Sequence, residues 1–273
     1  MSDSQVVDSR MKDAIRSMWS LGDYGALAVH LEPHAIELAQ RSRLQPGSEV
    51  LDVAAGNGNF AIAAARLGAT VVATDLSPAM VELGKARSRE QGVAIDWLEA
   101  DAESLPFPDG RFDVVASVFG AQFAPDPERV ASELFRVTKP GGLVAMANYG
   151  PKGFLPRFTA LMVTHGPAQP SGIPSAFDWG DTDTLHKRFK GLTAKIEVYP
   201  QALTFEFDSP DAGWEFWERT NPPIAALKMR LSPEQFAELR EEGKRLFGEM
   251  NQSAGGSRLT LESDYLQVLA RKA

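Results

Sequence analysis

Cysteine is absent from the 273 residues, which excludes disulfides, a thiolate nucleophile and a thiolate metal site. Histidine is scarce, with four copies at His30, His34, His165 and His186. None belongs to a recognised metal-ligand motif, since the i, i+4 pair His30 and His34 straddles Pro33, so no metal is expected. Positive charge is short too. Lys and Arg number 28 against 36 Asp and Glu, a formal net charge of -8, which is not the footprint of a nucleic-acid binder. No apolar run approaches the roughly 18 residues that span a bilayer. The polar stretch from Met1 to Lys12 is unlike a signal peptide. A soluble cytoplasmic chain with neither nucleic acid nor membrane as partner is expected.

What is present is ample core material, with 44% hydrophobic residues, arranged in a changing rhythm. Residues 11–45 read as helix, turn and helix. Met11, Ile15, Met18 and Trp19 share one face, Gly22-Asp23-Tyr24-Gly25 interrupts, and Pro33 is expected to open the second helix. From about 49 to 148 strands and helices alternate. The strands are Glu49–Val53, Thr70–Asp75, Ala94–Glu99, Phe112–Ser117 and Leu143–Asn148. Helices fall at Asn59–Leu67, after Ser77-Pro78 and after Asp126-Pro127. Such alternation means a doubly wound, mostly parallel α/β sheet with helices on both faces. Later come a helix over Phe154–His165, a Pro/Gly-rich loop from Gly166 to Pro174 and a strand over Ala194–Phe207 bent near Pro200. A helical insert at 211–252 carries a capping box at Ser232-Pro233-Glu234-Gln235 and ends at Gly255-Gly256, before a final strand over Leu259–Ala270. The expected organisation is an N-terminal helical lid (1–45), a core (46–210 and 253–273) and a helical cap (211–252).

The chemistry is expected at the carboxyl ends of the first strands, where such sheets bind ligands. Val50-Leu51-Asp52-Val53-Ala54-Ala55-Gly56-Asn57-Gly58 is a strand ending in an acid, followed by glycines and then a helix. Glycines there let a ligand approach the backbone, and the helix N-terminus supplies unpaired N–H groups. Asp52 beside them would repel a pyrophosphate but attract an amine or cation. This favours S-adenosylmethionine (SAM), with its ammonium and sulfonium, over NAD. Asp75 follows Gly56 by 19 residues, the interval of an acid that grips ribose hydroxyls. Asp101-Ala102 falls where an adenine would rest. Any one of these acids is commonly a turn or cap residue, but three at successive strand ends point to a site.

The chain resembles the class I, Rossmann-like SAM-dependent methyltransferases, small-molecule type, of the kind found in ubiquinone and menaquinone biosynthesis. The likeness runs over about 45–150. It rests on Leu51 to Gly58, on Val72-Ala73-Thr74-Asp75-Leu76-Ser77, on Ala100-Asp101-Ala102-Glu103-Ser104-Leu105-Pro106-Phe107, and on Leu134 to Gly142. The resemblance implies seven strands with the last antiparallel, and SAM as cofactor with S-adenosylhomocysteine (SAH) as product. Gly56 and Gly58 would line the methionine portion, and Val118 and Phe119 would lie under the cofactor. The remaining contacts would come from Trp19, Tyr24, Asp52, Ala54, Asn57, Asp75, Leu76, Ser77, Met80, Asp101, Ala102 and Glu103.

Two departures matter. Ala54 replaces the family's first loop glycine, which demands a negative φ there, while Asn57 tolerates unusual backbone. Gln122-Phe123 stands where many relatives carry paired histidines, so no mechanism can use those as bases. Trp19 and Tyr24 resemble a segment that covers the cofactor, though Trp19 could equally anchor a helix. His30 and His165 flank the expected lids and are the candidate bases. Trp214, Phe216, Trp217, Met229 and Leu231 could form the insert's own core or, with residues 11–25, an apolar pocket for the acceptor. The expected reaction is in-line methyl transfer to O, N or C of a small, largely hydrophobic molecule. The alternatives are a non-catalytic SAM-binding protein, whose helical decoration would serve a homo-oligomer, and an NAD-dependent oxidoreductase suggested by the weak G-x-G-x-x-A match at Gly56–Ala61.

Overall fold

The structure, a computed structural model, describes residues 3–167, 172–253 and 258–273. The expected Gly255-Gly256 turn and part of the 166–174 loop lie outside them. Seven strands form one sheet: β1 (Glu49–Val53), β2 (Thr70–Asp75), β3 (Asp96–Glu99), β4 (Phe112–Val118), β5 (Thr138–Gly153), β6 (Thr193–Phe207) and β7 (Leu259–Lys272). Their order is β3-β2-β1-β4-β5-β7-β6. The pairings among β1 to β5 are parallel, and β7 runs antiparallel between β5 and β6. The chain winds outward from β1 to β3, then returns to β4 on the other side of β1. That reversal opens a crevice at the carboxyl ends of β1 and β4.

The central strands are apolar on both sides because both faces are covered. Val50, Val71, Ala73, Val114, Ala116 and Ala145 pack on one face, and Leu51, Val53, Val72, Val115, Val144 and Met146 on the other. The first face is covered by α2 (Tyr24–Arg41), α3 (Asn59–Arg66) and α6 (Phe154–His165). The insert helices α8 (Pro210–Thr220), α9 (Pro222–Arg230) and α10 (Pro233–Met250) cover it as well. The second is covered chiefly by α5 (Pro127–Val137) and α7 (Thr182–Arg188). The helix α1 (Asp3–Met18) precedes α2, and α4 (Pro78–Glu90) connects β2 to β3. No described helix is long and apolar enough to cross a membrane.

The helical segments depart from expectation in three places. Pro33 lies inside α2, and Asp23 opens that helix by accepting from the Ala26 N–H. A proline in mid-helix frees the carbonyl four residues earlier; here that is Val29, which is 63% exposed and can give its carbonyl to water. The insert holds three helices, because Asn221 caps a separate α9 with Pro222 in its first turn. The capping box at Ser232 and Gln235 is formed, at the start of α10. The third departure is α7, whose seven residues are too short to show a periodicity.

Candidate active site

The turn after β1 is built around two buried acids. Asp52 is 1% exposed. Its Oδ2 accepts from the Ala61 N–H of α3 at 3.0 Å, while Oδ1 is buried without a partner. Burial pushes its pKa up to about 8, with the Asp75 charge adding to the rise and the Ala61 N–H opposing it. Asp75, at the end of β2, accepts from the Gly56 N–H and the Ser77 N–H at 2.9 Å each. Burial raises its pKa as well. Its oxygens keep further lone pairs for hydroxyl donors. Gly56 and Gly58 have φ of 56° and 87°, and a Cβ on Gly56 would sit 2.9 Å from the Tyr24 ring. Ala54 is also left-handed, with φ of 54°, which corrects the expectation of a negative φ. The turn keeps the family's glycine-like shape despite the Cβ. Gly120 accommodates it, for a Cβ there would lie 2.2 Å from the Ala54 carbonyl oxygen. Asn57 has no positive φ and makes no use of its tolerance.

The ends of β2 and β3 are covered by α1, part of the expected N-terminal lid, through charges the sequence did not single out. Lys12 pairs with Asp101 at 2.8 Å and with Glu103 at 2.5 Å. Burial alone would lower the Lys12 pKa, but the two carboxylates outweigh it and raise it. Arg16 donates to the Leu76 carbonyl at 3.1 Å and pairs with Glu99. Asp101 also accepts from the Glu103 N–H, and Glu103 Oε1 accepts from the Asp126 N–H at the start of α5. Glu103 is therefore an internal tie, with both oxygens engaged by the protein. Ala102 and Met80 are buried nearby in sequence, and Ser77 Oγ is buried without a partner.

Rings gather where β4 and β5 end. Phe119, with φ of 56°, stacks on Tyr149 at 4.3 Å. Trp19 meets Tyr24 at 5.8 Å and Phe123 at 5.6 Å. Phe123 meets Tyr149 at 6.3 Å. Val118 is partly buried on the same core face as Phe119. Trp19 and Tyr24 thus belong to one run of contacting rings, of which Tyr24 meets the glycine turn. Burial raises the pKa of both Tyr24 and Tyr149, which keeps both phenols neutral. Gln122 Oε1 accepts from the Tyr149 N–H at 2.8 Å, tying the two strand ends together.

The structure does not bring the candidate histidines to this turn. His30 packs its ring against Phe216 at 5.0 Å and Phe205 at 5.7 Å, and burial lowers its pKa. His165 bonds Glu242 at 2.6 Å, at the far end of α6, about 16 Å along that helix from its start. Trp214 and Trp217, each 1% exposed, pack among Phe158, Phe205 and Phe247, so these two serve the core. The lids do meet. The Asp23 N–H donates to the Arg219 carbonyl and Arg219 returns an ion pair to Asp23.

A methionine ammonium, a donor, fits the free acceptor of this turn. An orphaned, buried carboxylate oxygen on Asp52 lacks a cation, and the bare Cα of Gly56 lets the Tyr24 ring close against the turn beside it. The model of the methyltransferase domain family matches residues 51–146. An uncharacterised protein of Mycobacterium tuberculosis is 38% identical over 231 residues, 83% of this chain and 84% of that one. A demethylmenaquinone methyltransferase of Renibacterium salmoninarum is 37% identical over 154 residues, 51% of this chain and 63% of its own. Among solved structures, a candidate methyltransferase of Bacillus halodurans superposes with a TM-score of 0.62 at 23% identity, covering 87% of this chain and 98% of that one.

Proposed function

Since the chain belongs to the class I SAM-dependent methyltransferases that resemble the ubiquinone and menaquinone enzymes, we propose that it moves the SAM methyl group to a small, largely apolar acceptor. The observation that carries this reading is the orphaned Asp52 oxygen beside the left-handed glycine turn. Asp52 would hold the ammonium and Asp75 the ribose hydroxyls. Asp101, already oriented by the Glu103 N–H and Lys12, would accept from the adenine amine. The bound cofactor supplies an electrophilic methyl on a good leaving group. The chain's own part is to align that methyl and exclude water, a contribution on the order of 7–11 kcal/mol. The rings of Trp19, Tyr24, Phe119, Phe123 and Tyr149 would do both, and an aromatic face near a sulfonium adds roughly 0.5–2 kcal/mol.

No base is assigned a step. An amine near neutrality needs a base least, whereas a hydroxyl or a ring carbon must hand its proton to solvent or to a group of the protein. A hydroquinone carbon, whose ring proton would pass to solvent once the methyl has arrived, agrees with the demethylmenaquinone relative. The test is SAH release from SAM with a panel of hydroquinones, catechols and amines, beside Asp52→Asn. Turnover with one class, lost in the variant, supports the proposal. Tight SAM binding without turnover across the panel would instead favour a non-catalytic cofactor-binding protein.

A further inference from the structure

The residue that disciplines the glycine turn from below is Trp97. Edge strand β3 is mostly exposed, and Trp97 is the member that packs against the core. Its six-membered ring lies directly against two bare Cα atoms. A Cβ built on Gly84 of α4 would sit 2.1, 2.4 and 2.5 Å from three of its ring atoms, and one built on Gly58 would sit 2.9 and 3.0 Å from two of them. The indole Nε1 donates to Ser88 Oγ at 3.1 Å, and that hydroxyl donates onward to the Gly84 carbonyl at 2.8 Å. Gly84 and Ser88 are one turn apart on a buried helix face. A glycine inside a helix costs about 1 kcal/mol against alanine, and here the indole ring occupies the space a side chain would take.

Gly58 ends the turn and caps α3 with φ of 87°, so where its Cα sits decides where the α3 N–H groups and Gly56 point. Arg87, also on α4, reaches the Asn59 side chain and the Asn57 carbonyl. Helix α4 therefore grips the turn twice, through a cation on the polar side and through the Trp97 ring on the apolar side. Tyr24 meets the same turn at Gly56 from the lid.

We infer that Trp97 is a positioning residue for the cofactor: wedged between Gly84 and Gly58, it holds the turn in the shape that accepts the methionine end of SAM. The inference rests on the functional reading above. It gives Gly84, 26 residues past Gly58 in the chain, a role in cofactor affinity that its distance from the turn conceals. A ring forced off Gly84 must push on Gly58 or leave the wedge.

The test uses the full chain, with SAH as the calorimetric probe and amide hydrogen exchange over residues 55–61 of the free protein as a second readout. Gly84→Ala and Trp97→Leu are expected to weaken SAH binding at least tenfold and to raise exchange in the turn several-fold. Ser88→Ala, which removes only the indole's hydrogen bond, should do much less. Gly84→Ala combined with Trp97→Phe trims the ring atoms that clash, and should recover part of the affinity lost in Gly84→Ala. Such rescue is not expected of general destabilisation. Unchanged SAH affinity and unchanged turn exchange in folded Gly84→Ala and Trp97→Leu would overturn the inference alone. Wild-type protein that binds neither SAM nor SAH would overturn the functional reading and this inference with it.

Discussion

Asp52 is a carboxylate held without enough partners, and its titration offers a direct handle on the cofactor. Its folded pKa of about 8 stands above the unfolded value of roughly 3.9. The native state therefore binds this proton more tightly than the unfolded chain does. The stability it contributes is fully present below about pH 4 and is lost as pH rises through 8. A ligand ammonium demands the ionised form, so binding must expel the proton. Calorimetry at pH 7 in two buffers of different ionisation enthalpy should show close to one proton released per SAH bound. Asp52→Asn should bind more weakly and release none, whereas zero release from wild type would mean that the carboxylate is ionised before the ligand arrives. Ala54 tests strain in the same turn. An L-residue in the left-handed region loses on the order of 1–2 kcal/mol, partly offset in glycine by unfolded-chain entropy. Ala54→Gly should raise unfolding free energy by about 0.5–1 kcal/mol in denaturant titration. The acids and glycines were legible in sequence because their spacing is imposed by the turn itself. The sign of φ at Ala54 was not, since the room for its carbonyl is left by Gly120, which sits 66 residues away in the chain.

At the scale of elements, strands β1, β2 and β4 could be read from apolar runs and α1 as part of a lid, while the ion pairs that hold α1 in place could not. Lys12 and Arg16 look like ordinary solvated charges on an amphipathic helix until Asp101, Glu103 and Glu99 are brought beneath them. Glu103, 3% exposed, illustrates the limit of motif reading. Its place in the adenine segment suggests a ligand contact, yet its oxygens tie α1 and α5 to the loop. Pro33 misled for a related reason, because a proline reads as a helix start unless an upstream cap such as Asp23 is recognised. If the proposed cofactor site is right, the ion pairs make α1 a cover that loosens as SAM enters or SAH leaves. Lys12→Met leaves Glu103 buried without its cation, which favours release of the helix. SAH dissociation in stopped-flow fluorescence should then accelerate several-fold, with amide exchange in α1 rising in parallel. Equal dissociation rates in variant and wild type would show that α1 does not stand in the path.

For the molecule as a whole, the insert is part of the interior rather than an attachment to it. Trp214, Trp217, Leu239 and Phe247 share one continuous core with Phe154, Phe158 and Phe205 of the sheet and α6, and that core extends to Ala61 and Phe60 beneath the glycine turn. The sequence left open whether these aromatics formed a pocket or a core. Only the return of β7 between β5 and β6, which draws the insert back over the sheet, decides between them for the two tryptophans. A chain lacking residues 211–252 would expose those rings and should fail to give a cooperative fold. The same continuity governs how a ligand at one edge is felt elsewhere. Ligand at about 100 times its dissociation constant adds about 2.7 kcal/mol to the native state, which in a chain of this size corresponds to roughly 5–10 °C in Tm. Because turn and insert share a core, SAH should shift one single calorimetric transition by that amount, and Asp75→Ala at the same SAH concentration should shift it far less. A wild-type trace that splits on adding SAH, with only one part moving, would mean that the insert melts on its own and that its aromatics stabilise a separate unit.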